Sequence, residues 1–99
     1  MKKANEDNLD YSFNEITGEI LREKREKNNY SLKQLADKTG ITRQALFRYE
    51  TNQSRIKYDT FKLLCLALNE EPSKVFEEIQ FKFSKYGKMP IVFDKKDSD

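Results

Sequence analysis

The sequence predicts a mainly α chain of five helices with a C-terminal β-hairpin. Three observations carry that prediction. Residues 31–50 read as two short helices joined by a tight turn at Gly40. Residues 61–68 form the most apolar stretch of the chain, at a length that suits a core helix. From Ile79 the apolar period shortens to two, which is the period of a strand. The 99 residues allow one domain with one modest core. The expected organisation is a flexible arm over 1–13, a helical domain over 14–79, a hairpin over 80–93 and a disordered tail over 94–99.

In chain order, Leu9, Tyr11 and Phe13 alternate with Asp10 and Ser12. They read either as a loop that tucks aromatics onto the domain edge or as a short strand. Helix one is expected from about Asn14 to Asn28, with Ile16, Ile20 and Leu21 as its apolar stripe. Its second half is almost entirely charged and carries i,i+4 pairs. Ser31 can cap helix two, and Gln34 three residues later completes a capping box. Leu35 and Ala36 face inward, and Gly40 can take the left-handed conformation that ends the helix. Ile41 is a buried plug and Thr42 caps helix three, whose apolar positions are Ala45, Leu46 and Tyr49. Helix four follows from about Asp59 to Leu68, and its apolar run places it at the centre of the core. Helix five begins at Glu71-Pro72, with proline in the first turn. Ile79, Phe81 and Phe83, then a turn at 86–88, then Met89, Ile91 and Phe93 make the hairpin, with Pro90 assigning its second strand to an edge.

Composition excludes several functions. Histidine is absent, which removes the commonest general base and metal ligand. A single cysteine, Cys65, excludes an internal disulfide and a cysteine-cluster metal site, and reads as a small buried hydrophobe. The three glycines are far apart and form no phosphate loop, so neither an enzyme nor a cofactor is expected. No apolar run approaches membrane-spanning length and no signal-peptide pattern opens the chain, so a cytoplasmic location without membrane contact is expected. Net charge is only +2, but its distribution is uneven. Residues 22–62 hold eleven Lys and Arg against five Asp and Glu, whereas 1–19 and 70–78 are acidic. The basic charge therefore gathers on the two-helix motif and its flanks, where phosphate contacts would lie.

The residues Leu35-Ala36, Gly40-Ile41-Thr42, Leu46 and Glu50 resemble the helix-turn-helix of the lambda Cro/repressor type, the XRE family. The resemblance extends from about Gly18 to about Phe76. It implies a repressor-like DNA-binding domain whose second motif helix, about residues 42–50, lies in the major groove. Arg43, Gln44 and Arg48 face outward there, with Ala45 near the groove. Arg43 or Arg48 would read guanine, and Gln44 would read adenine or orient Arg43. Phe47 either contacts a thymine methyl or packs against helix one. Ser31, Lys33 and Thr42 are phosphate anchors near helix N-termini, with Lys33 standing in for the family glutamine replaced by Leu32. Gln53, Ser54, Arg55 and Lys57 are further phosphate candidates. The resemblance also implies a structural pair between Arg25 and Glu50.

The implied partner is double-stranded DNA, read as an inverted repeat by a homodimer. Phe81, Phe83, Met89, Ile91 and Phe93 of the hairpin are the preferred dimer element, with helix five as the alternative. The expected activity is that of a transcription regulator, a repressor that blocks polymerase. The competing expectation is a protein-interaction module, such as an antitoxin or adaptor, that holds a partner protein on the hairpin.

Overall fold

A computed structural model describes the backbone of residues 2–85 and the side chains from Phe13 onward. Five helices follow one another: α1 (Lys2–Lys27), α2 (Leu32–Thr39), α3 (Arg43–Glu50), α4 (Tyr58–Ala67) and α5 (Pro72–Lys85). Each of the four connections contains one residue in the left-handed conformation. Gly40 has φ 82°, and Asn29, Asn52 and Asn69 have φ 60°, 63° and 61°. Asparagine tolerates that region better than most side chains, so a glycine-poor sequence can still turn sharply.

The core is built from one stripe per helix. Ile16, Ile20 and Leu21 of α1 meet Leu35, Leu46, Phe61, Leu64, Cys65, Leu68, Val75 and Ile79, all buried. α1 packs against both α3 and α5, and α2 against α3 and α4. Cys65, with no exposed surface, is a core side chain as expected. α4 is less enclosed than its run of apolar residues suggests, since Leu63 and Leu66 are exposed.

The expected β-hairpin is not present, and no strand occurs among the described residues. Its first strand is the last part of α5. In a strand Ile79, Phe81 and Phe83 would share a face, whereas in a helix only residues three or four apart do so. Ile79 is accordingly buried and the Phe83 ring meets Phe13 edge-on at 5.4 Å, while Phe81 points outward with 68% of its surface exposed. Val75, Ile79 and Phe83 form an i,i+4 stripe against the core. Burying it stabilises α5 more than an isolated hairpin, which is marginal in water. The second-strand residues Met89, Ile91 and Phe93, like the tail at 94–99, lie outside the described residues. At the other end, the alternation at Leu9, Tyr11 and Phe13 falls within α1, which begins at Lys2 and not near Asn14.

Candidate nucleic-acid interface

Local sequence fixes the two motif helices. Ser31 Oγ accepts from the Gln34 amide at 3.0 Å, and Gln34 Oε1 accepts from the Ser31 amide at 2.8 Å. This reciprocal box starts α2 and satisfies donors that a helix N-terminus leaves open. Gly40 ends α2 with its N–H donating to the Ala36 carbonyl at 2.8 Å. Thr39 Oγ1 donates to the Leu35 carbonyl and accepts from the Ile41 amide, tying the turn to the helix it leaves. Thr42 Oγ1 then accepts from the Ala45 amide at 3.1 Å and starts α3. Leu46 anchors α3 in the core at 1% exposure, which turns Arg43, Gln44, Phe47 and Arg48 outward.

A shallow groove lies between the start of α2 and the outer face of α3. Ser31, Lys33, Arg43, Gln44, Arg48 and Gln53 line it, with Leu32 and Phe47 as apolar walls and Arg25 at its back. Among the described residues, no carboxylate lines the groove. Among the described residues, Arg43, Gln44 and Arg48 are held by no other side chain, so their donors point to solvent. Phe47 is 49% exposed, so it is not packed away against α1. Lys33 makes an exposed pair with Asp37 at 3.3 Å, and Gln53 Nε2 donates to Thr51 Oγ1. Thr42, Ala45, Ser54 and Lys57 lie outside this groove, and Arg55 lines a different pocket.

Arg25 locks the back of the groove. Its Nε and Nη2 donate to the two Glu50 oxygens at 2.7 and 2.9 Å, and its Nη1 donates to the Tyr30 carbonyl at 2.7 Å. The Glu50 side chain is 7% exposed and that of Arg25 is 12% exposed. The hydrogen bonds to Glu50 raise the Arg25 pKa above its ordinary value, against the opposing pull of burial. One guanidinium thus joins α1, the end of α3 and the start of the α2 segment.

Two positioning residues were not singled out from the sequence. Asn14 Nδ2 donates to Asn52 Oδ1 at 2.6 Å and to the Ser54 carbonyl at 3.2 Å. Its Oδ1 accepts from the Ile56 amide at 3.4 Å, so one amide fastens the α3–α4 loop to α1. Nothing in the local sequence marks it. Gly18 is the point where α1 crosses the end of α3, and an added Cβ would run into the Tyr49 carbonyl. Its signal was a lone glycine inside a helical pattern, which often means close approach.

Two short helices joined by a tight turn, the second held outward by its N-cap, by a buried leucine and by a buried ion pair, make a helix-turn-helix. The chain belongs to the helix-turn-helix family. The helix-turn-helix family model matches residues 21–75, more than half of the chain, and the XRE-type resemblance is borne out. Two relatives are similar over part of the chain. One, from Thermococcus kodakarensis, bears the name "Putative HTH-type transcriptional regulatory protein" and is 43% identical over 44 residues, 44% of this chain and 14% of its own length. The other, from Methanothermobacter thermautotrophicus, bears the same description and is 41% identical over 54 residues, 54% of this chain and 17% of its own length. The chain therefore matches about a sixth of the length of these curated relatives. No helix among the described residues is long and apolar enough to cross a membrane.

Proposed function

We propose that this chain is a sequence-specific DNA-binding transcription regulator that reads the major groove with α3. The carrying observation is the cluster of Arg43, Gln44 and Arg48 on one exposed face, their donors turned to solvent over a groove that no carboxylate lines among the described residues. The family and the names of its two relatives support the same reading.

In this reading Arg43 and Arg48 donate to guanine O6 and N7, and Gln44 pairs with adenine or orients Arg43. Ala45 approaches the base edges. Ser31, Lys33 and Thr42 hold phosphate near helix N-termini, where free N–H groups and the helix dipole favour an anion. Gln53, Ser54, Arg55 and Lys57 track the backbone from the loop after α3. One such helix reads few base pairs, so two copies bind an inverted repeat with half-sites roughly 34 Å apart. With the hairpin gone, the outward face of α5 around Phe81 is the contact between copies. Repression is by occupancy, since a dimer on an operator blocks polymerase.

The test is duplex binding by fluorescence anisotropy with single-base variants of a preferred site. Arg43→Ala and Arg48→Ala each relax preference at one position, at a cost of about 1–3 kcal/mol. Lys57→Ala weakens all duplexes alike and lowers the salt slope by about one. Uniform weakening by all three variants, with base preference intact, would remove α3 as the reading element.

A further inference from the structure

Of the exposed aromatic rings among the described residues, Phe76, Tyr58 and Phe81 each have a partner. Phe76 meets Phe13 edge-on at 6.3 Å, beside an apolar pocket that Phe83, Ile56, Arg55 and Tyr58 also line. Lys62 lies over the Tyr58 ring at 5.6 Å, and Lys85 over the Phe81 ring at 5.9 Å. Phe47 differs. It is 49% exposed, and among the described residues no ring or cation is set against it. Leu46 sits in the core and Tyr49 packs against it, which turns Phe47 to the other side of α3. There it lines the α3 groove together with Arg43, Gln44, Arg48 and a second apolar residue, Leu32.

We propose that Phe47 reads the C5 methyl group of a pyrimidine in the major groove, so that the chain tells thymine from uracil and 5-methylcytosine from cytosine. The proposal rests on the reading of α3 as the recognition helix. Phe47 stands four residues after Arg43 and three after Gln44, so it shares a face with both. Arg43, Gln44 and Arg48 recognise base edges through hydrogen bonds, and a methyl group neither donates nor accepts. The C5 methyl is the apolar feature of the major-groove edge, and an apolar side chain in contact with it is what detects it. A protein partner over Phe47 would also have to cover the Arg43 and Arg48 guanidinium groups. A duplex presents acceptors to the arginines and a methyl group to the ring on one surface. Phe47 stands about 6 Å beyond Arg43 along the helix, or about two base-pair steps. The methyl group therefore lies within about two base pairs of the base that Arg43 contacts. Burying one methyl group against the ring sets the discrimination at about fourfold per half-site.

The test uses the full chain and a duplex recovered from a random pool. Each thymine is replaced in turn by uracil, which removes only the methyl group. Cytosine and 5-methylcytosine are then compared at the position that responds. Affinities are measured by fluorescence anisotropy for the parent chain and for Phe47→Ala and Phe47→Leu, with helix content checked by circular dichroism. Uracil is expected to weaken the parent chain about fourfold at one position per half-site, and 5-methylcytosine to bind better than cytosine by a similar factor. Phe47→Ala should lose both differences yet keep the guanine preferences that Arg43 and Arg48 supply. Phe47→Leu, which retains an apolar contact, should keep part of both. A parent chain indifferent to uracil at every thymine overturns the proposal. So does a uracil effect that persists undiminished in Phe47→Ala. A difference within the thymine pair alone overturns the claim on 5-methylcytosine. In each of these cases intact guanine preferences leave α3 as the reading element. Recovery of no preferred duplex would instead remove the reading by α3, and this proposal with it.

Discussion

At the scale of single residues, the Arg25–Glu50 pair is the most consequential interaction. Both side chains are largely buried and share two hydrogen bonds. Removing the guanidinium leaves a carboxylate with poor solvation and no counter-charge. Arg25→Ala is expected to destabilise the fold by about 3–5 kcal/mol in urea titrations. Arg25→Lys should recover only part of this, since an ammonium cannot reproduce the two-pronged geometry. Cys65 gives a pH signature. Burial, with a further push from Glu70, raises its thiol from 9.0 to about 11. Between those values the folded chain keeps a proton that the unfolded chain releases, so stability falls as pH rises through the window. Two pH units correspond to roughly 2–3 kcal/mol. Lys24 adds to the same decline: burial opposes its charge, but Glu78 and Glu70, at 3.1 and 3.6 Å, outweigh that and raise its pKa. Urea titrations at pH 8 and pH 11 should show a shallower decline for Cys65→Ala than for the parent chain. Equal declines would rule out the thiol as a contributor. The family resemblance implies the Arg25–Glu50 pair from the sequence alone. Asn14 was not legible, because its three partners lie about forty residues away in sequence.

At the scale of elements, the angle at which α1 crosses α3 depends on Gly18. Alanine inside a helix is ordinarily favoured over glycine by about 1 kcal/mol. Here the added carbon meets the backbone of Tyr49 and Glu50, which cannot rotate away. Gly18→Ala is therefore expected to destabilise, by about 1–3 kcal/mol in thermal or urea unfolding. A stabilised variant would mean that α1 and α3 are further apart than described. Helices α2, α3 and α4 were readable to within a residue or two because caps and apolar period agree there. The end of α5 was misread because Ile79 and Phe83 satisfy both periods, being two strand steps or one helical turn apart. Phe81 tipped the reading toward a strand. Only the core that the i,i+4 stripe buries decides between the two. The run at 61–68 misled in a milder way, since apolar residues on every face suggested enclosure where Leu63 and Leu66 meet solvent.

At the scale of the whole molecule, the α3 groove and the apolar pocket share no lining residue, but Gln53 of the one and Arg55 of the other stand two apart in the α3–α4 loop. Dimerisation through the exposed Phe81 face makes a separate prediction. Phe81→Glu should convert a dimer to a monomer by sedimentation equilibrium without altering helix content, and should weaken binding to a two-half-site duplex far more than to a single half-site. A variant that remains dimeric would place the contact elsewhere. The central claim is that α3 reads sequence. Its most direct test is selection from a random duplex pool at near-physiological salt, carried out in parallel with the parent chain and with Arg43→Ala. The account predicts an inverted repeat with guanine and adenine positions in each half, and loss of one guanine preference per half-site in the variant. Recovery of no motif by the parent chain, with only salt-sensitive background binding, would contradict it.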